Sequence, residues 1–383
     1  MSRRALTISV IAVVVVAAVL SPRLWRRAQD AGLGFPPEPS TAATSEHLVG
    51  RPLPSLADAE GWLNSGPLTA DSLRGRPVLI VLWRDTDPAS LRAVKRAQGW
   101  HEGYARFGLR VVGVHLPEFA FAADSSHAAA VVRRLNLSFP IALDPAFRLW
   151  SRFGAHDRTP RVVLADETGR VREDAAAGAD LDRIERAVKV ELKRENPKLA
   201  FPGGSQAPIP AAVSTPAPAT PATVYLGSTR VARGPLSQAA PGRAQLFTAQ
   251  FRFQVEGEPY TPYPVGLWKP SSEGLTAGRG GAENYVALRY DGGALGAVLS
   301  PPSNASARVW ILRDERWLPS GTLGSDVRVD GRGASYVVVD SPRFYELCLA
   351  EAGEHVVKLS PEAPGVTVHA ITFQPVADSR PRH

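Results

Sequence analysis

Apolar positions follow three different patterns along this chain. From Ala5 to Leu20 they form one uncharged run with arginines on both sides. Between His47 and Glu195, short continuous runs alternate with helical spacing. "PVLIVLW" and "LRVVGVHL" have no polar face, as expected of strands covered on both sides. In "ASLRAVKRAQGWHEGYARF" the apolar residues Leu91, Val94, Ala97 and Trp100 fall three apart, which predicts a helix. "SSHAAAVVRRLNL" reads as a second helix opening on Ser125 or Ser126 as its cap. "PRVVLADETGRVRED" reads as a hairpin turning at Glu167 to Gly169, and "ADLDRIERAVKVELKR" as an amphipathic helix capped by Asp180 or Asp182. The order βαβαββα predicts an α/β unit, a sheet with helices on both faces.

After Thr223 helical periodicity disappears. "QLFTAQFRFQV", "NYVALRYD", "ALGAVLS", "ARVWILRD", "VRVDG", "SYVVVD", "FYELCLA", "HVVKLS" and "VTVHAITFQP" alternate with period two and are split by Gly, Pro, Asp and Asn. That is the pattern of an all-β sandwich or jelly roll. Two stretches fit neither pattern. Residues 31–46 form a Pro/Ser/Thr/Ala stalk, and residues 196–222 are rich in proline and alanine. Proline fixes φ and removes a donor, so the second stretch reads as an extended spacer between two domains. The expected organisation is an anchor over 1–30, a stalk over 31–46, an α/β domain over 47–195, a linker over 196–222, a β-sandwich over 223–376 and a tail over 377–383. No internal repeat is visible.

Composition changes this picture in two places. The net charge of +7 suggests an acidic partner, yet five arginines against Asp30 place +4 of it in the first thirty residues. That is a basic membrane flank, and it argues against nucleic acid as a partner. The apolar run reads as an uncleaved single-pass anchor helix with Trp25 at the interface; a cleaved signal peptide is the alternative. Either puts the bulk of the chain outside the cytoplasm, tethered to the inner (cytoplasmic) membrane or released into the periplasm. The single cysteine, Cys348, cannot form an intramolecular disulfide, and its place in "RFYELCLA" predicts a buried strand thiol.

Other candidate chemistry is sparse. The eight histidines are scattered, and His115 with His127 lacks metal-ligand spacing, so no metal and no cofactor are expected. "PSSEGLTAGRGGAEN" lacks the lysine and following helix of a phosphate loop and reads as a surface loop. Trp268, Trp310, Trp317, Tyr263 and Tyr290 lie in or beside predicted strands. They serve either the core or a platform that stacks on sugar rings or peptides.

A family resemblance rests on "WLNSGPLTADSLRGRPVLIVLW", "GLRVVGVHLPEFAF", "LNLSFPIALD" and "TPRVVLADETGRVRE". Together these resemble the TlpA/DipZ branch of thioredoxin-like proteins across about residues 47–193. "TPATVYLGS" and "PGVTVHAITF" are similar to the β-sandwich that follows the thioredoxin module in DipZ-like proteins. The resemblance matches the family's tryptophan with Trp83 and its cis-proline with Pro160 after Thr159. It places the two cysteines of the family's C-x-x-C on Asp87 and Ser90, with Pro88 and Ala89 between them.

Thiol-disulfide exchange requires a thiolate that attacks a disulfide sulfur and passes through a mixed disulfide. Neither a carboxylate nor a hydroxyl forms that bond. Asp87 has two readings: the N-cap of a helix with Pro88 at its first position, or an imitation of a permanent thiolate on a peptide-binding face. That face would comprise Trp83, Asp87, Ser90, Thr159 and Pro160. A peroxidase arrangement fails too, because Thr86 is followed three residues later by Ala89. The expectation is a binding or scaffolding protein of the cell envelope. Its partners would be periplasmic or envelope polypeptides, with a carbohydrate or other envelope ligand at the sandwich. The alternative is a TlpA/DipZ-type oxidoreductase working with a cysteine-bearing partner.

Overall fold

The computed structural model describes residues 48–154, 159–175, 181–201, 223–230, 234–248, 258–303 and 305–374. The expected anchor, stalk and tail, and residues 202–222 of the linker, lie outside the described residues. Among the described residues, no helix is long and apolar enough to cross a membrane.

The first sheet has six strands: β1 (Gly61–Leu63), β2 (Val78–Trp83), β3 (Arg110–His115), β4 (Ile141–Leu143), β5 (Arg161–Ala165) and β6 (Val171–Ala175). Their order is β1-β4-β3-β2-β5-β6, parallel at β2–β3 and β3–β4 and antiparallel elsewhere. Every residue of β2 is buried, which is why its sequence shows no alternation. The helices are α1 (Ala70–Leu73), α2 (Pro88–Tyr104), α3 (Ser125–Arg134), α4 (Arg148–Arg152) and α5 (Leu181–Glu195). Val94, Ala97 and Trp100 of α2 pack on one face of the sheet with Ile184, Val188 and Leu192 of α5. Trp150 and Phe153 pack against the other face. Gly113 of β3 is required by close approach, since a Cβ there would sit 2.6 Å from Ile141.

The periodic elements appear where the sequence puts them, with short additions. Strands β1 and β4 and helices α1 and α4 are too short to carry a readable period. Helix α3 is capped by Asp124, which accepts from the Ser126 amide, so Ser125 opens the helix instead of capping it. The β5–β6 hairpin turns as expected, with Gly169 at φ +80° and Asp166 accepting from the Thr168 and Arg170 amides. Leu199 and Phe201, at the head of the expected linker, pack on the first core, Phe201 edge-on to Tyr104 and Phe107.

The second sheet is antiparallel throughout. Its strands are β7 (Thr223–Tyr225), β8 (Gln245–Phe247), β9 (Tyr263–Pro270), β10 (Leu275–Ala277), β11 (Tyr285–Ser300), β12 (Ala307–Arg313), β13 (Arg316–Trp317), β14 (Val327–Val329), β15 (Ser335–Val339), β16 (Arg343–Pro361) and β17 (Thr367–Gln374). They join in one hydrogen-bonded sheet of eleven strands. "NYVALRYD" and "ALGAVLS" are one strand, β11, and "FYELCLA" and "HVVKLS" are one strand, β16. The intervening Gly292–Gly293 and Glu351–Gly353 are absorbed as register shifts. The expected surface loop of 270–284 contains β10, with Leu275 and Ala277 buried.

All described residues belong to one compact unit, in which the two sheets meet. Phe119 packs with Val298, Phe344 and Ala370 from β11, β16 and β17, flanked by Leu91, Phe121 and Tyr225.

The first sheet also carries a buried ion pair. The Arg161 guanidinium donates through Nε and Nη2 to the two carboxylate oxygens of Asp174, both at 2.7 Å, and through Nη1 to the Phe153 carbonyl. Asp174 also accepts from the Leu48 amide at 2.9 Å. Arg161→Ala leaves that carboxylate buried without its cation, so an expected loss of about 3–5 kcal/mol should appear as a lower urea midpoint with an unchanged slope.

Candidate functional site

Strand β2 ends at Trp83, which is fully buried with its ring edge-on to His115 at 5.0 Å. The chain then turns through Arg84, Asp85, Thr86 and Asp87 into α2. Asp87 is the N-cap, accepting from the Ala89 amide at 3.2 Å and the Ser90 amide at 2.9 Å, with Pro88 at the first helical position. Two orphan donors of the helix are thereby satisfied, and the carboxylate sits at the positive end of the helix. The Ser90 hydroxyl donates to the same carboxylate at 2.7 Å. The two residues are therefore bonded to each other, and Ser90 is fully buried. Burial raises the Asp87 carboxyl above its usual value, with Glu118 adding to the rise and the Ser90 bonds opposing it.

The peptide bond between Thr159 and Pro160 is cis. Of the five residues of the expected face, Trp83, Ser90 and Pro160 are buried, while Asp87 and Thr159 are half-buried.

Two carboxylates that no local sequence pattern singles out organise this loop. Asp85 is fully buried and bridges two imidazoles, His115 Nε2 at 3.1 Å and His127 Nε2 at 2.7 Å. Burial opposes its charge, but the two imidazole hydrogen bonds outweigh it and hold the carboxyl far below the usual range. Among the described residues, no set of three ligand side chains converges on a metal site.

Glu118 is the second carboxylate. It accepts from Thr86 Oγ1 at 2.5 Å and from the Tyr225 hydroxyl at 2.6 Å, with Arg84 Nη1 at 3.5 Å and Arg230 Nη1 at 3.8 Å. Thr86 precedes Asp87, whereas Tyr225 lies on β7, so one carboxylate ties the loop to the second sheet. The same end of α2 makes two more contacts across the joint. Leu91 packs on its apolar cluster, and Arg92 donates to Gln374. A lone acid inside "HLPEFAFA" was the one available signal for Glu118; its partners lie 32 and 107 residues away.

The chain is 34% identical to the DipZ proteins of Mycobacterium bovis and Mycobacterium tuberculosis over 166 residues, 43% of this chain and 23% of each of theirs. Residues 220–373 match the family described as a thioredoxin-like C-terminal domain. This is a TlpA/DipZ-like thioredoxin-fold protein. The DipZ-like chain thus spans about a quarter of the length of the DipZ relatives it matches. The thiol-disulfide oxidoreductase YkuV of Bacillus subtilis is 27% identical over 139 residues, 36% of this chain and 92% of that one. Among solved structures, a thioredoxin-like protein determined in solution in its oxidized form is 26% identical, with 37% of this chain and 95% of that one covered and a TM-score of 0.35.

The DipZ-like chain has one cysteine and hence no C-x-x-C pair. Cys348 is fully buried in β16, where burial pushes its thiol up to about 12. A thiol so protonated supplies no thiolate at neutral pH.

The aromatic residues divide between the two readings. Trp268 and Tyr290 are core. Tyr263 is half-buried on β9, and its hydroxyl accepts from the Glu258 amide. Trp310 and Trp317 remain accessible and cluster with Tyr336 at centroid distances of 6.0 and 5.3 Å from Trp310. Arg308 lies over Trp310 and Tyr336.

Asp87→Ala removes the helix cap and the acceptor of the buried Ser90 hydroxyl and should cost about 1–2 kcal/mol. Asp85→Ala leaves the buried His115 and the half-buried His127 without their shared acceptor and should cost at least twice as much. Thermal or urea unfolding of the two variants side by side gives the order.

Proposed function

We propose that this chain is a non-catalytic binding or scaffolding protein of the cell envelope. It would be held to the inner membrane by its N-terminal segment, with the bulk of the chain in the periplasm. It keeps the thioredoxin-like scaffold while Asp87 and Ser90, bonded to each other as a helix cap, replace the redox pair. That bonded pair is the observation that carries the reading. Attack on a disulfide needs a thiolate, and resolution needs a second one; the only thiol here is buried and protonated. Partner polypeptides would be held without electron transfer.

The second sheet would supply further recognition. Its two longest strands shift register near Gly292–Gly293 and Glu351–Gly353. Such bulges bend a sheet, and they support the closure of the eleven strands over one core as a jelly-roll-like sandwich. Trp310, Trp317 and Tyr336 would offer an outward platform for a carbohydrate or another envelope ligand.

An insulin-reduction assay with dithiothreitol recycling tests the central claim. The chain should show no turnover above background, and Cys348→Ser should not change that. Turnover by the unmodified protein would establish the oxidoreductase alternative. As a positive control, the double variant Asp87→Cys, Ser90→Cys restores two thiols at the head of α2 and should give measurable reduction.

A further inference from the structure

His369 stands on β17 at the centre of the joint and is 7% exposed. Its Nδ1 lies 3.0 Å from the Glu273 carbonyl and its Nε2 2.8 Å from Ser300 Oγ. A carbonyl only accepts, so Nδ1 carries the proton and Nε2 accepts from the Ser300 hydroxyl. Both nitrogens are satisfied in the neutral form. The rings of Phe119 and Phe121, from the first sheet's side of the joint, cover the imidazole at 5.0 and 5.2 Å.

We propose that the joint between the two sheets is an acid-sensitive latch, closed while the His369 imidazole is neutral and released when that imidazole takes up a proton.

The charged and titratable groups around it offer an added proton no counter-charge. On the segment after β3, Glu118 is engaged by Thr86 and Tyr225. From the β9–β10 turn, both Glu273 carboxylate oxygens accept from the Ala120 amide at 3.1 Å. Beyond β7, Arg230 lies over the Tyr225 and Phe119 rings, a second positive charge on the same joint. On α3, His127 stands behind Phe121 and is held by Asp85. Strand β11 contributes only the Ser300 hydroxyl. Among the described residues, no carboxylate bonds His369.

The direction of the pH effect follows from burial, which pushes the packed imidazole down from 6.5 to about 4. Above pH 6.5 it is neutral whether the joint is packed or released, and closure is at full strength. Between those values only the released imidazole is protonated, so closure weakens by up to about tenfold per pH unit. Below about 4 both forms carry the proton and the loss stops. Glu273 acts oppositely, because burial raises its carboxyl and protonation relieves the cost of packing it. Glu273 is present in both the unmodified chain and a His369→Gln variant, so the comparison of the two isolates the histidine's contribution.

Hydrogen–deuterium exchange of the full chain, corrected for the intrinsic pH dependence of exchange, reads the latch directly. Between pH 7 and 5, exchange in peptides covering 116–123 and 223–226 should rise by roughly 30-fold, while β2 and β12 stay protected. His369→Gln keeps a donor for the Glu273 carbonyl and an acceptor for Ser300 but cannot titrate, and it should abolish the rise. A rise that persists in that variant, or joint peptides that change only together with β2 and β12, would overturn the proposal. Proton NMR of the His369 ring in the unmodified chain is an independent measurement: a midpoint well below 6.5 supports the latch, and one at or above 6.5 refutes it.

Discussion

A carboxylate taken out of water must be given donors, and the loop between β2 and α2 is built around two that are. Asp85 is satisfied by two imidazoles and Glu118 by two hydroxyls. An unsatisfied buried charge would cost several kcal/mol, so the groups that answer these acids are fixed in place. Through them the head of α2, the end of β3, the start of α3 and the first strand of the second sheet share one electrostatic arrangement.

This arrangement explains how a thioredoxin-like chain holds the head of α2 in place without a C-x-x-C pair. Asp87 closes the N-terminus of α2 by itself, and the Ser90 hydroxyl points into the same carboxylate. The Asp87–Ser90 pair is a local solution to a helix-capping problem. The surrounding loop is meanwhile occupied with holding the second sheet, through Thr86, Leu91 and Arg92.

The fold was legible in the sequence wherever a period was long enough to read. The unbroken apolar run of β2, the three-residue spacing in α2 and the β5–β6 turn all announce themselves. Three-residue strands such as β1 and β4 hold too few positions to show alternation. The continuity of β11 and β16 was hidden because glycine ordinarily ends a strand, and only the partner strands show that a bulge absorbs it. At the site, the N-cap was visible because capping is local. Glu118, Tyr225 and His369 were not, since their partners are set by the packing of two sheets and have no sequence spacing.

The joint is sealed by side chains from residues 84–92 and 117–127 on one side and from β7, β11, β16 and β17 on the other. Its apolar cluster, its Glu118 bonds and its Glu273 bonds do not depend on covalent continuity through residues 202–222. The two halves consequently have the makings of a split protein: separately produced fragments would carry complementary surfaces and could reassemble without a peptide bond between them.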